Sequence, residues 1–224
     1  MFADLSAIYP HLQDCMTRPE FKRMLFRIIA AQDEAPFKSL AVLSDGSNDE
    51  KSLFTVALGM GYATFLRRRV LLLSFSHSIE HLDIPYETRS FSGVNDEGGR
   101  VSGRGPHLCI LSDMSSLLIR EDRNTEKRHI SSDSTHSVST EFLLKQFLKE
   151  RMRFFDLILI DTQDLSSCVT TAADPVVLAS QSDRTIFLLK QGKIKAESQR
   201  RLREALDSAH VHQLGAIIVS QADV

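Results

Sequence analysis

A lysine and a serine stand side by side in a polar segment between an apolar run and an amphipathic one. Residues 44–53 read Ser-Asp-Gly-Ser-Asn-Asp-Glu-Lys-Ser-Leu. In a phosphate-binding loop, backbone N–H groups and the start of the next helix surround the phosphates, a lysine reaches the outer oxygens, and a hydroxyl holds Mg²⁺. The pattern predicts a nucleotide site with Lys51 as the catalytic lysine and Ser52 as a magnesium ligand. Its predicted nucleotide-contacting residues are Asp45, Gly46, Ser47, Asn48, Asp49, Glu50, Lys51 and Ser52.

The same segment lacks the glycine that usually precedes the lysine of such a loop. Glu50 stands there instead, and Asp45 and Asp49 add two further carboxylates. Glycine is favoured because the backbone passes close to phosphate in a conformation that other residues resist. We therefore expect the segment to repel phosphate more than an intact loop does. Taken by itself, it fits an ordinary helix start with a solvated Lys51 better than a phosphate site.

A carboxylate ends the clearest apolar run of the chain. Residues 155–161 read Phe-Asp-Leu-Ile-Leu-Ile-Asp, which is typical of a buried strand that ends at Asp161. A carboxylate in this place can reach Mg²⁺ directly or through water, as at the Walker B position of nucleotide-binding proteins. The alternative is a strand that simply ends in a polar residue. With Lys51 and Ser52 upstream, we interpret Asp161 as a catalytic and magnesium-binding residue.

Short apolar runs alternate with amphipathic segments along the chain. An early helix is predicted after a capping box at residues 17–20, and its apolar side is formed by Phe21, Met24, Leu25, Ile28 and Ile29. The apolar runs predict strands at 40–43, 70–73, 107–111, 155–161, 184–189 and 214–219. Further helical patterns cover 51–66, 140–152, 174–179 and 195–209. Buried strands between helices indicate an α/β fold of P-loop NTPase type, with a mainly parallel sheet and helices on both faces.

Size and composition limit the classes of protein that this chain can be. Its 224 residues, 42% hydrophobic and 25% charged, suit one domain at 1–224, with an N-terminal extension at 1–16 and a mobile loop at 121–139. A net charge of -2 gives no sign of a nucleic-acid partner. The three cysteines lie far apart, which fits a reducing cytosol. The sequence shows neither a membrane helix nor a signal peptide, so we expect a cytoplasmic protein.

As an ordered set, these segments resemble the MinD/ParA group of P-loop proteins, and most of all the bacterial tyrosine-kinase (BY-kinase) domains of capsule and exopolysaccharide export. Those domains begin with a Glu-x-x-Arg-x-x-Arg helix, which is similar to Glu20 and Arg23 with the second arginine one place late. Their phosphate loop, second strand and Walker B segment resemble residues 49–52, 70–74 and 161–164. Similar segments follow in the same order, at 173–174, 182–183, 190–193 and 214–219. The resemblance covers roughly residues 17–221.

The departures from the family's pattern concentrate at the nucleotide site. The carboxylate that ends the second strand in the family is Ser74 here, and the asparagine that reads adenine at the end of the last strand is Ser220. Glu50 replaces the loop glycine, and the family's tyrosine-rich tail has no counterpart in the sequence. Three losses at one site indicate a degenerate relative, a pseudo-ATPase that binds ATP or ADP with Mg²⁺ weakly or not at all.

The resemblance implies an interaction or regulatory component of exopolysaccharide biosynthesis and export. It implies a homo-oligomer with Glu20 and Arg23 at the contact. It also implies a partner in the cytoplasmic part of a membrane polysaccharide co-polymerase protein, which would hold the chain at the inner membrane. An active ATPase or protein tyrosine kinase with an atypical P-loop is the first alternative. A MinD/ParA-like positioning ATPase is the second, and the helix with Glu20 and Arg23 counts against it.

Overall fold

Six parallel strands form the central sheet in the part of the chain that the structure describes. The computed structural model describes residues 10–44, 48–76, 108–111, 114, 140–165, 174–190, 200, 203, 204 and 206–219. The strands are β1 (Ser39–Ser44), β2 (Val70–Ser74), β3 (Leu108–Leu111), β4 (Leu157–Asp161), β5 (Arg184–Lys190) and β6 (Gln213–Val219). They lie in the order β3-β2-β4-β1-β5-β6, and every neighbouring pair is parallel. The six predicted strands and the parallel α/β sheet are therefore confirmed.

Helices cover both faces of this sheet. They are α1 (Pro10–Thr17), α2 (Pro19–Glu34), α3 (Asn48–Phe65), α4 (Thr140–Arg151) and α5 (Pro175–Ser180). One group of buried side chains joins α1, α2 and α3 to one face, and another joins α4, α5 and Leu206 to the other. The helix predicted at 195–209 is described only in part, with 200, 203, 204 and 206–208 helical. Among the described helices, none is long and apolar enough to cross a membrane.

Helix α3 is packed on two sides, against the sheet and against α2. A β-carbon added at Gly59 would lie 3.1 Å from Leu108 Cδ1 of the sheet, and one added at Gly61 would lie 3.2 Å from Leu25 Cδ2 of α2. The two glycines therefore allow close approach on both sides. This position explains why residues 55–63 are all buried. The first turn of α3 is consequently held firmly over the carboxyl ends of the strands.

The start of α2 differs from the prediction. Its N-cap residue is Arg18, which makes no side-chain capping hydrogen bond. The hydroxyl of Thr17 instead donates to the carbonyl oxygen of Asp14 at 2.9 Å. The predicted capping box at residues 17–20 is therefore wrong, because Thr17 is the last residue of α1 and its side chain turns back to that helix.

The segment at 1–16, predicted as an extension, contains most of α1. Leu12 and Met16 of this helix pack in the same core as α2 and α3. The apolar side predicted for α2 is confirmed at Phe21, Leu25 and Ile28, which are all buried. The loop predicted at 121–139 lies outside the described residues.

Carboxylates tie the amino ends of the strands together. Asp183 accepts hydrogen bonds from the backbone N–H groups of Lys38 at 2.7 Å and Ser39 at 2.9 Å, which joins the start of β1 to the start of β5. Asp156 accepts one from the backbone N–H of Arg69 at 2.8 Å, which joins β4 to β2. These contacts hold two pairs of neighbouring strands, β1 with β5 and β2 with β4, at the end of the sheet opposite Asp161.

Candidate functional site

Three polar side chains end the central strands on one face of the sheet. Alternate residues of β1, β2 and β4 belong to the core shared with α3, among them Leu40, Leu72 and Leu159. Because side chains alternate along a strand, Ser44, Ser74 and Asp161 point to that same face. Parallel strands also bring their carboxyl ends to one edge, and Ser74 and Asp161 are register partners. The first turn of α3 adds Lys51 and Ser52 to this cluster.

Lys51 points into the protein and not toward solvent. Its ammonium nitrogen lies 3.3 Å from Asp161 Oδ1 and donates a hydrogen bond to the carbonyl oxygen of Thr162. The side chains of both charged residues are 0% exposed. The lysine is thus satisfied within the fold, and its ammonium group is not presented to a phosphate in this arrangement.

The second oxygen of Asp161 is held by two serines. Ser52 Oγ donates to Asp161 Oδ2 at 2.8 Å, and Ser74 Oγ lies 3.2 Å from the same oxygen. The Ser74 hydroxyl also lies 2.8 Å from the carbonyl oxygen of Ser76, so its single proton can serve only one of these two acceptors at a time. Ser74, where the resemblance leads one to expect a second carboxylate, therefore contacts Asp161 without repelling it.

Burial changes the acid–base properties of the ion pair. Loss of hydration raises the pKa of the Asp161 carboxyl, and attraction to Lys51 opposes this rise. Loss of hydration likewise lowers the pKa of the Lys51 ammonium, with Asp161 and then Asp164 acting in the opposite direction. In both groups burial has the larger effect. The pair has no net charge, and each group is far less costly to bury with its partner than it would be alone.

The prediction from the sequence did not include three residues that the structure places at the site. Thr162 accepts from Lys51 through its carbonyl oxygen, and its hydroxyl donates to the carbonyl oxygen of Val42 at 2.9 Å, which ties this backbone to β1. Asp164 is buried and its charge favours the charged form of Lys51. Ser44 Oγ is buried without a hydrogen bond to any described residue. The place of Thr162 and Asp164 directly after Asp161 was the signal that could have found them.

The segment before Lys51 differs from the predicted loop. Helix α3 begins at Asn48, three residues before the predicted start at Lys51. Glu50 is therefore half-buried in the first helical turn, where φ is negative and glycine is not needed. Only the backbone of Asn48 and Asp49 is described, and residues 45–47 lie outside the described part of the chain, as does Ser220.

The residues present fit a magnesium–nucleotide complex poorly in this arrangement. Mg²⁺ requires free oxygen ligands, usually from a carboxylate and a hydroxyl together with phosphates and water. The predicted pair, Ser52 and Asp161, is hydrogen-bonded to itself, and Asp161 is also paired with Lys51. Among the residues that the structure describes, no group of three His, Cys, Asp or Glu side chains could hold a metal ion. Binding would require the ion pair to open.

The fold is shared with several solved structures. The chimerical protein CapA2B2 superposes with a TM-score of 0.60 at 14% identity, over 100% of this chain and 93% of that one. The VpsO kinase domain gives 0.56 at 14% identity, over 90% and 99%. The kinase domain of the Escherichia coli tyrosine kinase ETK gives 0.54 at 15% identity, over 88% and 73%. The chain has the fold of a bacterial tyrosine-kinase domain. The resemblance to BY-kinase domains and the P-loop NTPase-type fold predicted from it are confirmed.

Sequence comparison alone does not reach this fold. No family model matches the chain, and no curated protein matches it either. At 14–16% identity, the tyrosine-kinase fold is established here by the order of strands and helices and not by conserved chemistry. What this example of the fold does has to be argued from its own residues.

Proposed function

We propose that this protein is a degenerate relative of BY-kinase domains that acts as an interaction or regulatory component of exopolysaccharide biosynthesis and export. It binds ATP or ADP weakly or not at all. The observation that carries this proposal is the fully buried ion pair between Lys51 and Asp161. The two groups that a working site would use on phosphate and Mg²⁺ neutralise each other inside the fold.

The charge at the second strand supports the same conclusion. A carboxylate in place of Ser74 would lie within contact distance of Asp161, since Ser74 Oγ is 3.2 Å from Asp161 Oδ2. Two carboxylates with one lysine would leave an excess negative charge for Mg²⁺ to neutralise. With Ser74 the Lys51–Asp161 pair is balanced within itself, and no carboxylate at position 74 adds repulsion for Mg²⁺ to relieve.

The setting of this function rests on the resemblance. BceF and ETK are described as tyrosine kinases, and this chain shares their fold. We place it in the cytoplasm, held at the inner membrane by the cytoplasmic part of a polysaccharide co-polymerase protein. It acts there as a homo-oligomer, with Glu20 and Arg23 of α2 as the contact that the resemblance implies. Both residues are exposed, which is necessary for such a contact.

Calorimetric titration with ATP and with ADP, each with and without Mg²⁺, tests the proposal. We expect no measurable heat up to millimolar nucleotide. A variant with Glu50→Gly and Ser74→Asp, which returns two family residues, provides the matched comparison and should bind more tightly than the natural chain. Micromolar, Mg²⁺-dependent binding by the natural chain would overturn the proposal.

An active ATPase or tyrosine kinase with an atypical loop is the second candidate. It is favoured by one observation: Lys51, Ser52 and Asp161 still meet at one site, with Ser52 Oγ 2.8 Å from Asp161 Oδ2. Opening of the ion pair by a ligand would release all three groups. Radiolabelled product formed from ATP by the pure protein, and lost in Asp161→Asn, would establish this candidate in place of the first.

A further inference from the structure

The outward face of α2 carries an exposed aromatic side chain among exposed charges. Phe26, at the middle of the helix, is 62% exposed. It is surrounded by charged side chains and a small residue, all exposed. We call this set the α2 face; it consists of Lys22, Arg23, Phe26, Ala30, Asp33 and Glu34. At about 100° per residue these six positions share an arc of about 120°.

The charges of the α2 face run against the helix dipole. Lys22 and Arg23 lie near the N-terminus, where positive charge is unfavourable, and Asp33 and Glu34 end the helix, where negative charge is unfavourable. Arg27 adds a like charge four residues after Arg23, which is also unfavourable. None of the four charges of the α2 face forms an ion pair with a described residue. Within the described part of the protomer, this order of charges is therefore not explained by ion pairing or by the helix dipole.

This order of charges, basic near the N-terminus and acidic near the C-terminus, is self-complementary when two copies of α2 run antiparallel. Lys22 and Asp33 lie 11 residues apart, which returns them to the same edge of the α2 face within about 20°. Arg23 and Glu34 are also 11 residues apart and lie on its other edge. A twofold axis beside residue 28 places residue i opposite residue 56 − i, within about one residue's rise of 1.5 Å.

We propose that two copies of this chain associate through their α2 faces, antiparallel and about a twofold axis beside residue 28. In this register Lys22 meets Asp33 of the second copy, and Arg23 meets its Glu34. Phe26 packs over the small side chain of Ala30. Every contact occurs twice, because a twofold interface is isologous. The partner that satisfies both the basic and the acidic half of this face is therefore a second copy of the chain.

This inference rests on the proposed function, which includes a homo-oligomer, and it changes the contact. Glu20, which the resemblance places at the oligomer contact, lies about 120° around the helix from Phe26 and outside the α2 face. A contact between two single helices is small, so we expect a dimer of roughly micromolar affinity. Its exposed ion pairs should make it weaken as salt concentration rises.

Sedimentation velocity of the whole chain across a concentration series tests the dimer and its register. The natural chain should dimerise. Two double variants reverse the charges of one half of the face each, Lys22→Glu/Arg23→Glu and Asp33→Lys/Glu34→Lys. Each should raise the dimer Kd about a hundredfold or more, because four ion pairs become four repulsions. An equimolar mixture of the two variants should dimerise again, since one face is then wholly acidic and the other wholly basic. Phe26→Ala should weaken the natural dimer about tenfold or more. All five substituted side chains are exposed, and thermal melting should confirm that each variant is folded.

Lys145→Glu, at an exposed lysine of α4, is the matched control and should dimerise as the natural chain does. Glu20→Lys separates the two contacts, and we expect it to leave the dimer through the α2 faces intact. A natural chain that stays monomeric at several hundred micromolar would overturn both this inference and the proposed homo-oligomer. Dimers that survive both charge reversals, or a mixture that fails to dimerise, would overturn the α2 register and leave the homo-oligomer to another surface. Loss of the dimer in Glu20→Lys would favour the contact implied by the resemblance over the one proposed here.

Discussion

Replacement of Lys51 by methionine tests whether the buried ion pair has become part of the core. Methionine fills most of the same space and leaves Asp161 buried without its cation. Removal of one partner of a buried ion pair costs about 3–5 kcal/mol, a large part of a total stability of roughly 5–15 kcal/mol. We expect this loss at neutral pH. A lysine that points into an open, solvated phosphate site would be replaced at a cost of only about 0.5 kcal/mol.

The loss should depend on pH in a defined direction. Burial raises the pKa of Asp161, and removal of Lys51 takes away the strongest effect that opposes the rise. Between the unfolded pKa of about 3.9 and the raised folded pKa, the folded variant keeps a proton that the unfolded chain has released. Stability of the variant therefore falls as pH rises through this window. The difference from the natural chain should be small near pH 4 and largest at neutral pH.

Urea unfolding followed by far-ultraviolet circular dichroism measures the effect, since the chain has no tryptophan. Lys145→Met, at an exposed lysine of α4, is the matched control and should change stability by no more than about 0.5 kcal/mol. Lys51→Met/Asp161→Asn should recover most of the loss, because neither charge then remains. A Lys51→Met variant as stable as the control at neutral pH, or a loss that is the same at pH 4 and pH 7, would refute the reasoning.

Three further substitutions test the surroundings of the site. Ser74→Asp should lower the free energy of unfolding by roughly 3–5 kcal/mol in the absence of metal, because it sets a second carboxylate against Asp161. Millimolar Mg²⁺ should then raise the melting temperature of this variant and not that of the natural chain. Asp183→Ala should cost about 2–3 kcal/mol in urea unfolding, because two backbone N–H groups at the start of β1 lose their acceptor. Arg67→Gly should gain about 0.5–1 kcal/mol, because Arg67 has a φ of 53° just after α3, and an unchanged midpoint would contradict this account.

Most of the fold could be predicted because its signals are local. The three central strands β1, β2 and β4 are short apolar runs that are buried on both sides, and apolar runs that alternate with helical patterns match a parallel sheet. The helix ends were harder to predict. The start of α2 depended on whether Thr17 caps the following helix or ends the preceding one, and α1 offered too weak a periodicity to settle this. The start of α3 at Asn48 was missed because acidic and amide residues are as typical of loops as of a first helical turn.

The candidate site could be predicted in its members but not in its state. Residue types and spacing indicated that Lys51, Ser52 and Asp161 would meet, and the structure places them in contact. The direction of Lys51 could not be predicted, because it depends on Thr162, whose backbone is fixed to β1 through the hydrogen bond to Val42. Such a contact joins residues 120 positions apart, and no local pattern of the sequence records it.

The replacement at position 74 and the direction of Lys51 have one physical explanation. Where two carboxylates face a single lysine, one negative charge stays uncompensated until Mg²⁺ binds with the nucleotide. The site without Mg²⁺ and nucleotide is therefore costly to the fold. With Ser74, Asp161 meets Lys51 without a carboxylate at position 74 to repel it, and Ser52 donates to its second oxygen. The empty state is then the stable one, and nucleotide would have to break a buried pair before binding. A fold that satisfies these charges internally can stay intact without a ligand, and under the proposed function surfaces such as the α2 face would then carry the role of the protein.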